Sequence, residues 1–180
     1  MTVAHAPTQL VFDSMGTVVT VLSTVPIDVT TTEAVKSTFR ELDERFSLYR
    51  EDSEASAIRR DRSLIRSASE SYRDMSWDAV AWLAATGGAF TPHRPDGVVD
   101  LSSVVKARGI EAAGDVLVAH GHLDWCLNAG GDILVSGALA SGEPWSVGIE
   151  TLQLVQNAYD IDVLASAADG TVWASPVFTA

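Results

Sequence analysis

The 180-residue chain is poor in cysteine and lysine and has no long apolar run. Its one cysteine, Cys126, excludes an intramolecular disulfide and with it a stapled secreted framework. Flanked by Trp125 and Leu127 and with no base nearby in sequence, Cys126 reads as a small buried hydrophobe rather than a nucleophile. The only lysines are Lys36 and Lys106, and 12 Lys plus Arg face 24 Asp plus Glu, giving a net charge of −12. That balance excludes nucleic acid and anionic membranes as main partners, because both need clustered cations to replace counterions. No Lys or Arg follows Arg108, whereas nine acidic residues run from Glu111 to Asp169. Anions could bind in that part only through metal ions or helix N-termini. No window reaches the ~18 apolar residues of a membrane span, and the opening MTVAHAPTQLVFDS lacks both the basic start and the apolar stretch of a signal peptide. A cytoplasmic location without a membrane anchor is expected. P-loop, GxGxxG and GxSxG patterns are absent.

Apolar residues make up 47% and charged residues 20% of the chain, enough for a sizeable core, and a single domain over residues 1–180 is expected. The runs LVFDS and TVVTVLS flank Met15-Gly16, the pattern of an opening hairpin. Thr30 to Glu33 offers a capping box, followed by Val35, Phe39, Leu42, Phe46 and Tyr49 at helical spacing. The stretch from Asp61 to Arg73 reads as loop or short helix. A second helix is predicted over Ser76–Thr86, with Trp77, Val80, Ala81 and Ala84 on one face and Gly87-Gly88 as its stop. A third, capped by Ser102 or Ser103, runs to about Ala119 and ends at Gly121, weakened locally by Gly109. From Asp124 onward, short runs including DWCLNA, DILVSG, PWSVGIE and YDIDVLA predict an antiparallel meander. The fold class is therefore α+β, with helices packed on antiparallel sheet.

Three segments carry candidate chemistry. Asp100 to Lys106 opens the third helix, whose free N–H groups and single lysine suit a phosphate or pyrophosphate, although an Asp-Ser cap with a surface lysine has the same sequence. Asn128-Ala129-Gly130-Gly131-Asp132 either lets a ligand approach backbone closely or forms a plain hairpin turn. Asp169 to Ser175 supplies hard oxygen donors of the kind Mg²⁺ takes, or is one more turn. His93, His120 and His122 lack zinc-site spacing and read as surface or capping residues.

In chain order, Ser14-Met15-Gly16-Thr17, the run LDERFSLYREDSE from Leu42 to Glu54, Thr86 to Phe90, Asp100 to Lys106 and Asn128 to Asp132 together resemble the FAD:protein FMN transferase, or ApbE-like, family over roughly residues 9–150. The resemblance implies an ApbE-like α+β fold with a shortened C-terminal part. It also implies a Mg²⁺-dependent transferase that cleaves FAD at its pyrophosphate, moves FMN onto a Thr or Ser hydroxyl of an acceptor flavoprotein and releases AMP. By the same resemblance, Met15, Tyr49, Asp100 and Lys106 contact FAD, Ser103 helps bind the metal, and Lys106 and Asp169 are the candidate catalytic residues.

Several positions depart from the family pattern. Thr91 stands where the family carries Asp, and Ser102-Ser103 replaces a Gly-containing pair. The family's long segment after the strand resembling PWSVGIE has no counterpart. Its C-terminal Asp-xxx-Thr metal motif corresponds either to Thr171 with Ser175 or to Asp169 with Trp173. The resulting metal candidates are Ser103, Asp169, Thr171 and Ser175. The alternative function is a catalytically impaired flavin- or adenine-nucleotide-binding module.

Overall fold

The computed structural model describes residues 7–147 and the backbone of two further strands, Val163–Ser166 and Val172–Ala174. The elements run β1 (Thr8–Ser14), β2 (Thr17–Ser23), α1 (Val29–Phe46), α2 (Glu54–Arg60), a 3-10 turn (Arg62–Ser67), α3 (Glu70–Ala85), α4 (Ser102–Ala119), β3 (Trp125–Ala129), β4 (Asp132–Ser136), β5 (Val163–Ser166) and β6 (Val172–Ala174). They form two compact units, one from residues 1–36 and 110–180, the other from residues 37–109.

The first unit is built on one sheet of order β1-β2-β3-β4-β6-β5, antiparallel throughout. Alternation decides its faces: Val19 and Val21 on β2, Leu127 and Ala129 on β3 and Leu134 on β4 are buried, while Val18 is turned outward. The last turns of α4 cover the buried face through Ile110, Ala113 and Leu117. Gly114 allows that approach, since a Cβ there would lie 2.8 Å from the Trp125 ring. Met15 (φ 51°) and Gly16 (φ 70°) both adopt the left-handed backbone that a two-residue hairpin turn requires, as the sequence predicts.

The second unit packs α2, α3 and the flanking parts of α1 and α4. Phe46 stacks on Tyr72 with ring centroids 5.7 Å apart, and Gly109 admits the Phe39 ring 3.1 Å from where its Cβ would be. The glycine that costs α4 intrinsic helicity thus gains a close helix contact.

Five expectations need correction. The N-terminus of α1 is capped by Asp28, whose Oδ1 accepts the Thr31 N–H at 2.7 Å, rather than by Thr30. That helix ends at Phe46, so Tyr49 lies beyond it and is 95% exposed. Helix α3 starts at Glu70, six positions before the predicted start, because the Ser69 hydroxyl accepts the Tyr72 N–H and supplies the cap. Its buried face is Tyr72, Met75 and Ala79, and Trp77 is 71% exposed. Pro144 makes only an isolated bridge with Ala138, so the described part of PWSVGIE forms no regular strand.

Candidate functional site

In the first unit, the two hairpin turns singled out from sequence lie side by side. Pairing of β2 with β3 aligns Val19 with Ala129, and the Gly130 N–H donates to the Val18 carbonyl at 3.3 Å. Gly130 has φ +63°, and a Cβ there would fall 2.3 Å from Thr17 Oγ1, so only glycine fits against the Met15-Gly16-Thr17 turn. Asn128 Oδ1 accepts the Gly131 N–H at 2.9 Å and fixes the second turn. Around Gly131 there is open space on the side a Cβ would take, so its backbone is approachable.

In the second unit, α4 opens with Ser102 and Ser103 exposed and Lys106 half-buried one turn in. Asp100 Oδ1 accepts the Ser102 N–H at 3.0 Å, and the Asp100 N–H donates to the Pro92 carbonyl at 2.8 Å. Asp100 therefore caps the helix, in place of the Ser102 or Ser103 cap expected from sequence, because Ser102 is already the first helical residue and donates its own N–H. The Asp100 carboxylate sits on the first N–H of α4, and no acidic residue lies within the first turn itself, so the next N–H groups and Lys106 are the anion-attracting features at this end of the helix.

The segment from Leu42 to Glu54 is tied by its own polar groups. Ser53 Oγ donates to the Ser47 carbonyl and accepts the Ser56 N–H at 3.0 Å, capping α2. Arg50 pairs with Asp52 at 3.3 Å and reaches Asp43 at 3.9 Å. These contacts hold the loop that displays Tyr49. At the end of α3, Gly88 donates to the Leu83 carbonyl and Gly87 to the Ala84 carbonyl, the expected glycine stop.

Other candidates resolve into structural roles. His122 is buried, 5% exposed, with Nδ1 3.1 Å from Ser23 Oγ, which corrects the surface expectation for that residue. His120 Nδ1 meets Thr31 Oγ1 at 2.9 Å, and His93 is exposed. Cys126 is half-buried, and burial pushes its thiol pKa up, away from nucleophilic thiolate character. Among the described residues no group of three or more His, Cys, Asp or Glu side chains gathers as a metal site. Ser103 offers one hydroxyl. Asp169, Thr171 and Ser175, the other metal candidates, lie outside the described residues. No described helix is long and apolar enough to cross a membrane.

The architecture matches solved flavin transferases. The flavin transferase ApbE from Vibrio cholerae superposes with a TM-score of 0.66 at 20% identity, covering 80% of this chain and 63% of that one. The ApbE protein from Thermotoga maritima gives 0.65 at 16% identity, covering 81% and 63%. The apo flavinyl transferase ApbE from Pseudomonas stutzeri gives 0.64 at 19% identity, covering 83% and 62%. The chain has an ApbE-like fold. The ApbE family model matches residues 92–175, which include the α4 N-terminus and the Asn128–Asp132 turn of this ApbE-like chain. A curated FAD:protein FMN transferase from Vibrio cholerae is 31% identical over 71 residues, 39% of this chain and 21% of that protein. The match thus spans about a fifth of the curated relative's length.

Proposed function

We propose that this chain is a cytoplasmic FAD:protein FMN transferase, acting as one functional domain. The observation that carries the reading is the α4 N-terminus, with Asp100 and Lys106, both half-buried, on either side of its first turn inside the segment that matches the ApbE family model. FAD is the substrate. Its pyrophosphate meets the α4 N-terminus and Lys106, and Tyr49 contacts one of its ring systems. In the reaction, the oxygen of an acceptor Thr or Ser hydroxyl forms a bond to the FMN phosphorus. The bond from that phosphorus to the bridging oxygen breaks, and AMP leaves with the bridging oxygen while the hydroxyl proton is lost. Such transfer relies mainly on positioning and charge neutralisation, which helix N–H groups and a lysine supply.

Mg²⁺ is the metal this reading implies. The described donors do not by themselves assemble a site for it, since Ser103 is a lone neutral ligand and divalent cations of this kind lean on carboxylates. Asp169, Thr171 and Ser175, the other candidate donors, lie outside the described residues. A second reading, a flavin- or adenine-nucleotide-binding module without turnover, is favoured by Thr91 standing where the family carries Asp.

One experiment separates the two. The full chain is incubated with FAD and MgCl₂, with and without a Thr-containing acceptor peptide, and AMP and peptide-borne FMN are quantified. AMP release with modified peptide supports the transferase. Bound FAD without AMP at any Mg²⁺ concentration leaves the binding module, and absence of FAD binding overturns both.

A further inference from the structure

We infer that the second unit holds a separate ligand cavity, bounded by α2, α3 and the 92–101 turn, that accepts a small amphiphilic monocarboxylate. The cavity measures about 370 Å³, room for roughly a dozen water-sized groups at about 30 Å³ each and within the range of small-molecule sites. Its floor is apolar, formed by Ala55 and Ile58 of α2, Tyr72 and Ala79 of α3, and Leu101, all buried. Large apolar side chains around it remain open to solvent, with Ile65 44%, Val80 45% and Val99 37% exposed. An apolar body placed there would remove this surface from water.

The charged part of the lining is basic. Arg59, Arg62 and His93 contribute to it, and none of the described lining residues is Asp or Glu, in a chain of net charge −12. Arg62 is also held in place, because its Nη2 donates to the Gly97 carbonyl. Gly97 (φ +78°) makes room for that contact, since a Cβ there would lie 2.8 Å from Nη2. A guanidinium matches a carboxylate through paired N–H donors, so charge and shape together favour an apolar body ending in one carboxylate. Met15, Tyr49, Asp100, Ser103 and Lys106 are not among the described lining residues, so the cavity is distinct from the proposed FAD contacts.

Decanoate, with about a dozen non-hydrogen atoms, is a suitable probe, and decanol is its neutral counterpart. Calorimetric titration of the full chain should show decanoate binding at least roughly tenfold more tightly than decanol, the difference expected of a charge-assisted contact. The double variant Arg59→Gln/Arg62→Gln should bind decanoate no better than decanol. Val80→Trp, on the exposed side of α3, should fill the mouth and abolish binding with both arginines intact. Saturating FAD should leave decanoate affinity unchanged, which tests the cavity separately from the transferase reading. Equal affinity for decanoate and decanol, unaltered binding in a folded arginine or Val80→Trp variant, displacement by FAD, or no decanoate binding would each overturn the proposal.

Discussion

Glu54 and Ser69 are joined twice: Oε1 of Glu54 accepts the Ser69 N–H and Oε2 accepts the Ser69 hydroxyl, both at 2.6 Å. Because Ser69 also caps α3 through the Tyr72 N–H, one carboxylate at the start of α2 sets the start of the next long helix. Its charge, after burial, is also a cause of the raised Tyr72 pKa. Glu54→Ala should therefore destabilise the protein by about 2–3 kcal/mol, the cost of leaving part-buried donors without a charged acceptor. Denaturant melts of Glu54→Ala, Ser69→Ala and the double variant should give a coupling energy of at least about 1 kcal/mol. Strict additivity would show that the pair does not act as a unit.

A second prediction concerns the paired turns of the sheet. Gly130→Ala forces a Cβ into Thr17 Oγ1 and a side chain onto a φ of +63°, and should cost about 1–3 kcal/mol. Thr17→Gly removes the steric part only, so the Thr17→Gly/Gly130→Ala double variant should recover part of the loss from the additive expectation. Full additivity in thermal melts would mean that backbone strain alone accounts for the effect.

Sequence patterning made the sheet legible where residues alternate and turns are glycine-marked. Val19, Val21, Leu127 and Ala129 face the core, and Met15-Gly16 turns the first hairpin. Helix boundaries were less legible, because the decisive caps at Asp28 and Ser69 are single polar side chains amid many similar ones. For α3, Trp77 reads as core by its apolarity, yet the buried stripe is Tyr72, Met75 and Ala79. Composition cannot say which of two apolar stripes finds a partner. Of the candidate segments, the sequence exposes Asp100–Lys106 in the second unit and Asn128–Asp132 in the first, but not the fit of Gly130 against Thr17 or the Glu54–Ser69 link, since both join residues distant in sequence. A Ser placed immediately before Glu70 was the one available signal for the latter.

Acid stability should report on Asp28 and Asp61. Hydrogen bonds from Thr31 hold the Asp28 carboxyl below its ordinary pKa, and those from Ser63 do the same for Asp61. A carboxyl lowered in the folded state adds stability above its unfolded pKa of about 4, and that stability is lost as pH falls through the folded value. Thermal melts from neutral to strongly acidic pH should show a shallower acid limb for Asp28→Asn/Asp61→Asn than for wild type, with the two curves converging at the lowest pH. Parallel acid limbs would assign the acid sensitivity to other carboxyls.

The final prediction asks whether the α4 N-terminus serves a ligand or only the helix. Asn at position 100 still offers a side-chain oxygen to the Ser102 N–H, so Asp100→Asn should leave the melting temperature nearly unchanged. If Asp100 contacts FAD, flavin affinity should fall in that variant despite the intact cap. Lys106→Ala should weaken FAD by about 1.5–3 kcal/mol, or roughly 10- to 150-fold, because a charge-assisted contact to a diphosphate is lost. That loss should shrink at high ionic strength if the contact is solvent-exposed. Equilibrium flavin titrations, run beside melts of the same samples, separate the roles. Unchanged FAD affinity in both variants would remove Asp100 and Lys106 from the substrate site and leave them as a cap and a flanking cation of α4.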